Sequence, residues 1–208
     1  MNRKLFYALL LAVLPLLSMA QKVRYGASAA IVGANPVGYS THWGFQAGAT
    51  GDFVLTSIGY DELRLHPSLL LSNKGWRDEF VSPVSGSHKW DCSLYYIELP
   101  VMVEYALKLR GKSSLVIGAG PFMAYGLWGS NKIGVDGSTL YDKDTFSAGN
   151  YRRFDSGLKA SVGIDVKQWQ VSLEYGHSLM KPTKNELDYL SPKNRTFALK
   201  LTYMIGTF

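Results

Sequence analysis

The sequence predicts an all-β protein, an eight-stranded antiparallel transmembrane up-and-down β-barrel, and three observations carry that expectation. Apolar and polar residues alternate, as in Phe197, Leu199, Leu201, Tyr203 and Ile205 against Thr196, Lys200 and Thr202, so a strand has one face for hydrocarbon and one polar face. Segments of this kind number eight along the chain, with connections that alternate between short and long. The chain also opens on a basic, then apolar stretch of export-signal type.

Residues 1–20 carry Arg3 and Lys4, an apolar run from Leu5 to Leu17, and Ser18-Met19-Ala20 ahead of Gln21. We read them as a secretory signal peptide cut before Gln21, which leaves 21–208 as one outer-membrane β-barrel domain. A spanning helix needs roughly 20 apolar residues, and Pro15 with the small-residue tail departs from that pattern. Cys92 is the only cysteine, so neither an intrachain disulfide nor a lipid anchor on an N-terminal Cys is expected. Cleavage removes two of the 22 Lys and Arg and none of the 16 Asp and Glu, leaving a formal charge of +4. The basic residues of the mature chain are scattered, with Arg152-Arg153 the adjacent pair, and this excludes a nucleic-acid signal.

Period two places strands at 22–33, 42–55, 62–73, 92–108, 114–128, 154–166, 168–179 and 194–206. The connections then read 34–41 long, 56–61 short, 74–91 long, 109–113 short, 129–153 very long, 167 a tight turn and 180–193 long. Outer-membrane barrels keep short turns in the periplasm and longer loops outside, so both termini are expected at the periplasmic end. Outward positions include Trp43, Phe45, Leu65, Leu69, Ile97, Leu99, Val103, Ile117, Leu158, Val162, Val171 and Leu173. The outward set holds no charge, as a band where a Lys or Arg costs about 2–4 kcal/mol near the midplane requires. Arg24, Arg64, Glu98, Glu104, Lys159, Asp165, Glu174 and Lys200, with Gln46 and His66, fall on the opposite face and are expected as a structural barrel interior. That sorting is the reverse of a soluble lipocalin-like cup, whose cavity is apolar. Tyr25, Trp43, Tyr105, Tyr125, Trp128, Trp169 and Tyr203 sit near strand ends, where interfacial aromatic girdles form.

Several stretches resemble the PorT-like outer membrane β-barrel protein family of Bacteroidota, an outer membrane protein beta-barrel domain. They are Gly44-Phe45-Gln46-Ala47-Gly48, the run from Leu63 to Gly75, Tyr95-Tyr96-Ile97-Glu98-Leu99-Pro100-Val101, Gly118-Ala119-Gly120-Pro121-Phe122, Phe154-Asp155-Ser156-Gly157, and the run from Glu174 to Leu179. The resemblance covers nearly all of the mature chain. It implies an eight-stranded outer-membrane barrel, with some relatives tied to protein secretion or gliding. Phe208 resembles the terminal aromatic by which barrel-assembly machinery recognises its clients during insertion. Pro100 lacks a backbone donor and is expected at a bulge or bend beside Glu98, while Gly118, Gly120, Gly157 and Gly163 face inward and leave room for large side chains.

An eight-stranded interior is just wide enough for side chains to fill, and buried charges must be paired, so a compensating ion-pair network is expected. Glu174, His177 and Ser178 suggest a lipid-hydrolysing triad, but adjacent His177 and Ser178 point to opposite faces of a strand. The four histidines, His42, His66, His88 and His177, are dispersed and Cys92 stands alone, so neither a metal site nor any cofactor is expected. The 129–153 loop, with Trp128 at its base and Lys132, Asp136, Tyr141, Lys143, Tyr151, Arg152 and Arg153 along it, mixes charges and aromatics suited to a protein or saccharide partner. Trp76, Arg77 and Trp90 flank the 74–91 loop or extend its strands above the membrane. Outer-membrane lipid surrounds the wall. The leading expectation is a non-enzymatic membrane scaffold or binding module acting through loops or periplasmic rim, with a link to secretion implied by the resemblance; the alternatives are a narrow solute conduit and a lipid-modifying barrel enzyme.

Overall fold

The computed structural model of the protein describes residues 22–34, 40–82, 86–109, 111–135, 138–146, 152–181 and 193–205. The expected signal peptide, Phe208, Asp136 and Tyr151 lie outside these residues. Nine strands form among the described residues: β1 (Lys22–Ala34), β2 (His42–Ile58), β3 (Asp61–Ser82), β4 (Gly86–Lys108), β5 (Ser113–Val135), β6 (Ser138–Asp144), β7 (Phe154–Val166), β8 (Trp169–Ser178) and β9 (Arg195–Ile205). Eight of them close a ring of antiparallel neighbours in which β1 pairs with both β2 and β9, β4 with β5, and β5 with β7. The ninth, β6, lies outside the ring and pairs along the far end of β5, from Ser130↔Asp144 to Val135↔Ser138.

Closure removes every edge within the ring and satisfies the backbone donors that hydrocarbon would leave unpaired. The turns at one end are tight, at Gly59 and Tyr60, at Gly111, and at Lys167 and Gln168. Gly59 and Gly111 adopt φ of 66° and 84°, and Lys167 adopts 57° without the freedom of glycine. Short turns mark the periplasmic end.

Burial alternates with the predicted phase: in β9 every second residue from Thr196 to Met204 is buried, and the residues between them are exposed. Leu69, Ile97, Val103, Ile117, Leu158, Val162, Val171 and Leu173 form part of an exposed apolar belt. Leu65, of the same outward parity, is only 2% exposed, with Phe53 and Val103 as its cross-strand partners. Aromatic pairs flank the belt. Tyr95 stacks on Trp128 at 5.0 Å and Tyr175 meets Phe197 at 5.0 Å on the outer side, while Trp169 meets Tyr203 at 4.7 Å near the periplasmic turns.

Three expectations are corrected. First, the expected 74–91 loop is mostly strand: β3, β4 and β5 reach 22, 23 and 23 residues, and Trp76 and Arg77 in β3 with Trp90 in β4 follow the second of their two expected placements, as strand extensions. Second, the 129–153 segment is in part sheet: β5 runs on past Trp128, its expected last residue, to take in Lys132, and Tyr141 and Lys143 belong to β6. Its polar composition hid a hairpin that needs no lipid face and therefore no apolar alternation. Third, Pro100 brings no bulge. The β4–β5 register is the same at Pro100↔Phe122 and Val103↔Ala119, and the shift falls at Tyr95/Tyr96 instead, where Leu127 is the extra residue on β5. A second irregularity lies between Val54 and Thr56.

Candidate functional site

The lumen is filled in three layers. Nearest the periplasm, Arg24 reaches Asp52 at 2.5 Å, and Arg64 joins Asp165 at 2.6 Å, Glu62 at 2.6 Å and Asp52 at 3.4 Å. Lys108 adds to Glu62 from the rim at 3.1 Å. These contacts tie β1, β2, β3, β4 and β7 together across the barrel. His66 and Glu104 lie just above, with Gln170 donating to Glu104 at 3.4 Å.

The middle layer centres on Glu98, which is 0% exposed. It pairs with Lys74 and, at 2.5 Å, with Lys159, and it accepts from Gln46 at 3.3 Å. Lys159 also lies 3.6 Å from Glu174, which is paired with Lys200. Three lysines thus alternate with two glutamates, and Asp155 beside them accepts a hydrogen bond from Ser178 at 2.8 Å. Gly118 admits the large groups of neighbouring strands, since a Cβ there would lie 2.9 Å from Glu104 Cγ and 2.8 Å from Ser161 Oγ.

The outer layer is apolar, built from Trp76, Cys92, Leu94, Tyr96, Phe122, Ala124 and Phe146. Lys74 bridges it to the middle layer with Nζ 4.8 Å from the Phe122 ring centroid, a desolvated cation–π contact. Phe146 follows β6 and returns into the mouth, held by a Thr145 N–H donating to Gly129 O at 3.1 Å. Its ring occupies the space over Gly126, where a Cβ would lie 2.2 Å from Phe146 Cζ. Arg153 secures the segment: Nη1 donates to Gly126 O and Leu127 O at 3.0 Å each, and the guanidinium lies 5.1 Å from the Phe146 ring.

Above the mouth β3, β4, β5 and β6 continue as a four-stranded antiparallel sheet. A membrane-crossing strand takes roughly 9–11 residues, which is the length of β8 and β9, 10 and 11 residues. About half of β3, β4 and β5 therefore stands outside the bilayer. Arg77 and Asp91, directly opposite across β3 and β4, are ion-paired at 2.6 Å. Ser40 N donates to Arg77 O at 3.0 Å and braces the base of this sheet.

The eight interior residues named from sequence all lie buried inside the wall. Of the partner-loop residues, Trp128 stacks on Tyr95, Lys132 and Arg152 are exposed, and Arg153 is engaged in the mouth. Asp52, Glu62, Lys74 and Asp155 were not among the sequence-named interior residues. Lys74 opens a polar stretch that reads as a loop, and Asp52 directly follows Gly51 near the irregular end of β2, where alternation gives no phase. Ser178 is buried and His177 lies on the other face of β8, so the two do not meet.

A family model described as "Outer membrane protein beta-barrel domain" matches residues 19–183 of the 208. The chain belongs to that family. It is thus an outer membrane β-barrel protein of a bacterial cell, with outer-membrane lipid around its wall. Among solved structures, the Neisserial surface protein A barrel is similar at 13% identity and a TM-score of 0.47, over 89% of this chain and 97% of that one. Ail, the attachment invasion locus protein of Yersinia pestis, is similar at 15% identity and a TM-score of 0.39, over 88% and 97%. Ail in complex with the heparin analogue sucrose octasulfate is similar at 14% and 0.38, again over 88% and 97%. No curated protein gives a significant match.

Proposed function

We propose that this barrel is a non-enzymatic binding module that presents the β3–β6 sheet above the outer membrane to a protein or saccharide partner. The observation that carries the reading is the length of β3, β4 and β5, about twice that of β8 and β9. At roughly 3.3 Å per residue, ten extra residues lift this sheet by about 25 Å, allowing for strand tilt. Lys132 and Arg152 are exposed in this region. Packing of the lumen supports the same reading, because ion pairs fill two layers and an apolar layer covers them, unlike a water-filled conduit. A lipid-modifying enzyme would need a base within about 2.6–3.2 Å of a nucleophile, whereas Ser178 is bonded to Asp155 and His177 is on the opposite face.

The test is photocrosslinking in native outer membranes. A photoreactive residue at position 132, on the projecting part of β5, is expected to trap a discrete adduct. The same group at position 158, on the lipid-facing belt, should trap lipid alone. Adducts equally abundant at both positions, or none at 132, would contradict the reading.

A further inference from the structure

We propose that Asp52, His66 and Glu104 form a site for one divalent metal ion of the zinc class in the periplasmic half of the lumen. Each offers one ligand atom, and the three atoms lie within 4.8 Å of one another. His66 Nδ1 is 3.9 Å from Asp52 Oδ1 and 3.9 Å from Glu104 Oε2. A point about 2.2–2.5 Å from all three exists between them, and a slight contraction brings it to the roughly 2.0–2.2 Å of zinc–nitrogen and zinc–oxygen bonds. The residues come from β2, β3 and β4, so the ion would fasten three adjacent strands.

Two further features point at a ligand. His66 Nδ1 and Asp52 Oδ1 are buried and have no hydrogen-bond partner among the described residues, although such atoms almost always have one or meet an ion or water. The other Asp52 oxygen is already occupied by Arg24 and Arg64, so Oδ1 is left aimed at His66. A second partner for the ring is also in place. Thr50 Oγ1 lies 2.8 Å from His66 Nε2, 2.9 Å from Ser68 Oγ and 3.3 Å from Pro67 O, so with its proton given to Ser68 or Pro67 it accepts the Nε2 proton and leaves a lone pair on Nδ1. Metal-bound histidines are held in this way by a second partner.

Charged groups surround the three ligand atoms. In this half of the lumen Arg24 and Arg64 face Asp52, Glu62, Glu104 and Asp165, Lys108 reaches Glu62 from the half-exposed rim, and the charge of Lys200 acts on His66 from the middle layer. Nδ1 faces two carboxylates, which it can meet with a second ring proton or with a lone pair and a cation between them; the metal site is the second case. One imidazole with carboxylate oxygens is a donor set that zinc-class ions accept. The three residues are too far apart in the chain for a spacing motif, and dispersed histidines therefore say nothing against a mixed set.

The experiment refolds the full mature chain in detergent with Zn²⁺ or Co²⁺, removes excess metal, and measures metal per heat-modifiable barrel. About one ion per chain is expected, with visible Co²⁺ absorption. His66→Gln and Glu104→Gln should lose it, and Thr50→Val should weaken it about 10–100-fold. Nitrogen NMR of the zinc-treated wild type, which needs no variant to fold, should show the His66 ring protonated at Nε2 alone. Less than a tenth of an ion per folded barrel, a ring protonated at both nitrogens, or full retention in Glu104→Gln would each overturn the proposal.

Discussion

The ring of Phe146 meets the ring of Tyr96 edge-on, with centroids 5.9 Å apart and planes at 86°. One residue belongs to the connection after β6 and the other to the wall strand β4, so this contact is where the projecting sheet's return segment closes the mouth of the barrel. Cys92, 0% exposed, lies in the same cluster and reports on that closure.

We expect Phe146→Ala to remove about 3 kcal/mol of packing from the mouth without opening the wall, whose hydrogen bonds are made elsewhere. Folded barrel should remain heat-modifiable while Cys92 becomes reactive toward a maleimide. An unchanged Cys92 labelling rate would mean that Phe146 does not close the mouth.

The middle layer is more sensitive than its position suggests. Glu98→Gln leaves Lys74 facing a neutral amide and weakens the hold on Lys159, so a loss of about 3–5 kcal/mol is expected in urea unfolding from vesicles. Adding Lys74→Met should restore a good part of it. A single variant within about 0.5 kcal/mol of wild type, at the level of an ordinary surface change, would contradict the ion-pair account.

Strand phase was readable because lipid and lumen impose opposite demands on adjacent residues, so Leu173 and Glu174 sort by chemistry alone. The pairing within the lumen was not readable. Glu98 reaches Lys159 across the barrel, and nothing in the spacing of those residues selects that partner. Lys74 was hidden for a different reason: β3 leaves the membrane near it, apolar alternation stops, and a polar strand then looks like a loop. The same loss of alternation hid β6, while Phe146, a lone aromatic in a polar segment, carried no sign that it turns back into the mouth.

On the outer face, Leu173→Arg places a charge among lipid at 60% exposure of the native side chain and should cost about 2–4 kcal/mol. Val171→Leu, on the same face, should be neutral in the same unfolding assay. Equal losses from the two would show that the exposed belt is not lipid-facing.

Lys167 holds φ at 57° in the turn between β7 and β8, a conformation that costs a residue bearing a Cβ about 1 kcal/mol. Lys167→Gly is expected to leave stability equal or slightly higher, and Lys167→Val to lower it. A glycine variant clearly less stable than the valine variant would contradict the strain.

The most direct measurement replaces residues 133–143 with a short Gly/Ser linker and follows the barrel and its crosslinked partner together in native outer membranes. The wall closes without β6, so heat-modifiable barrel should persist at wild-type abundance while the adduct trapped from position 132 disappears. Loss of the barrel itself, or an adduct undiminished by the replacement, would contradict the assignment of binding to the projecting sheet.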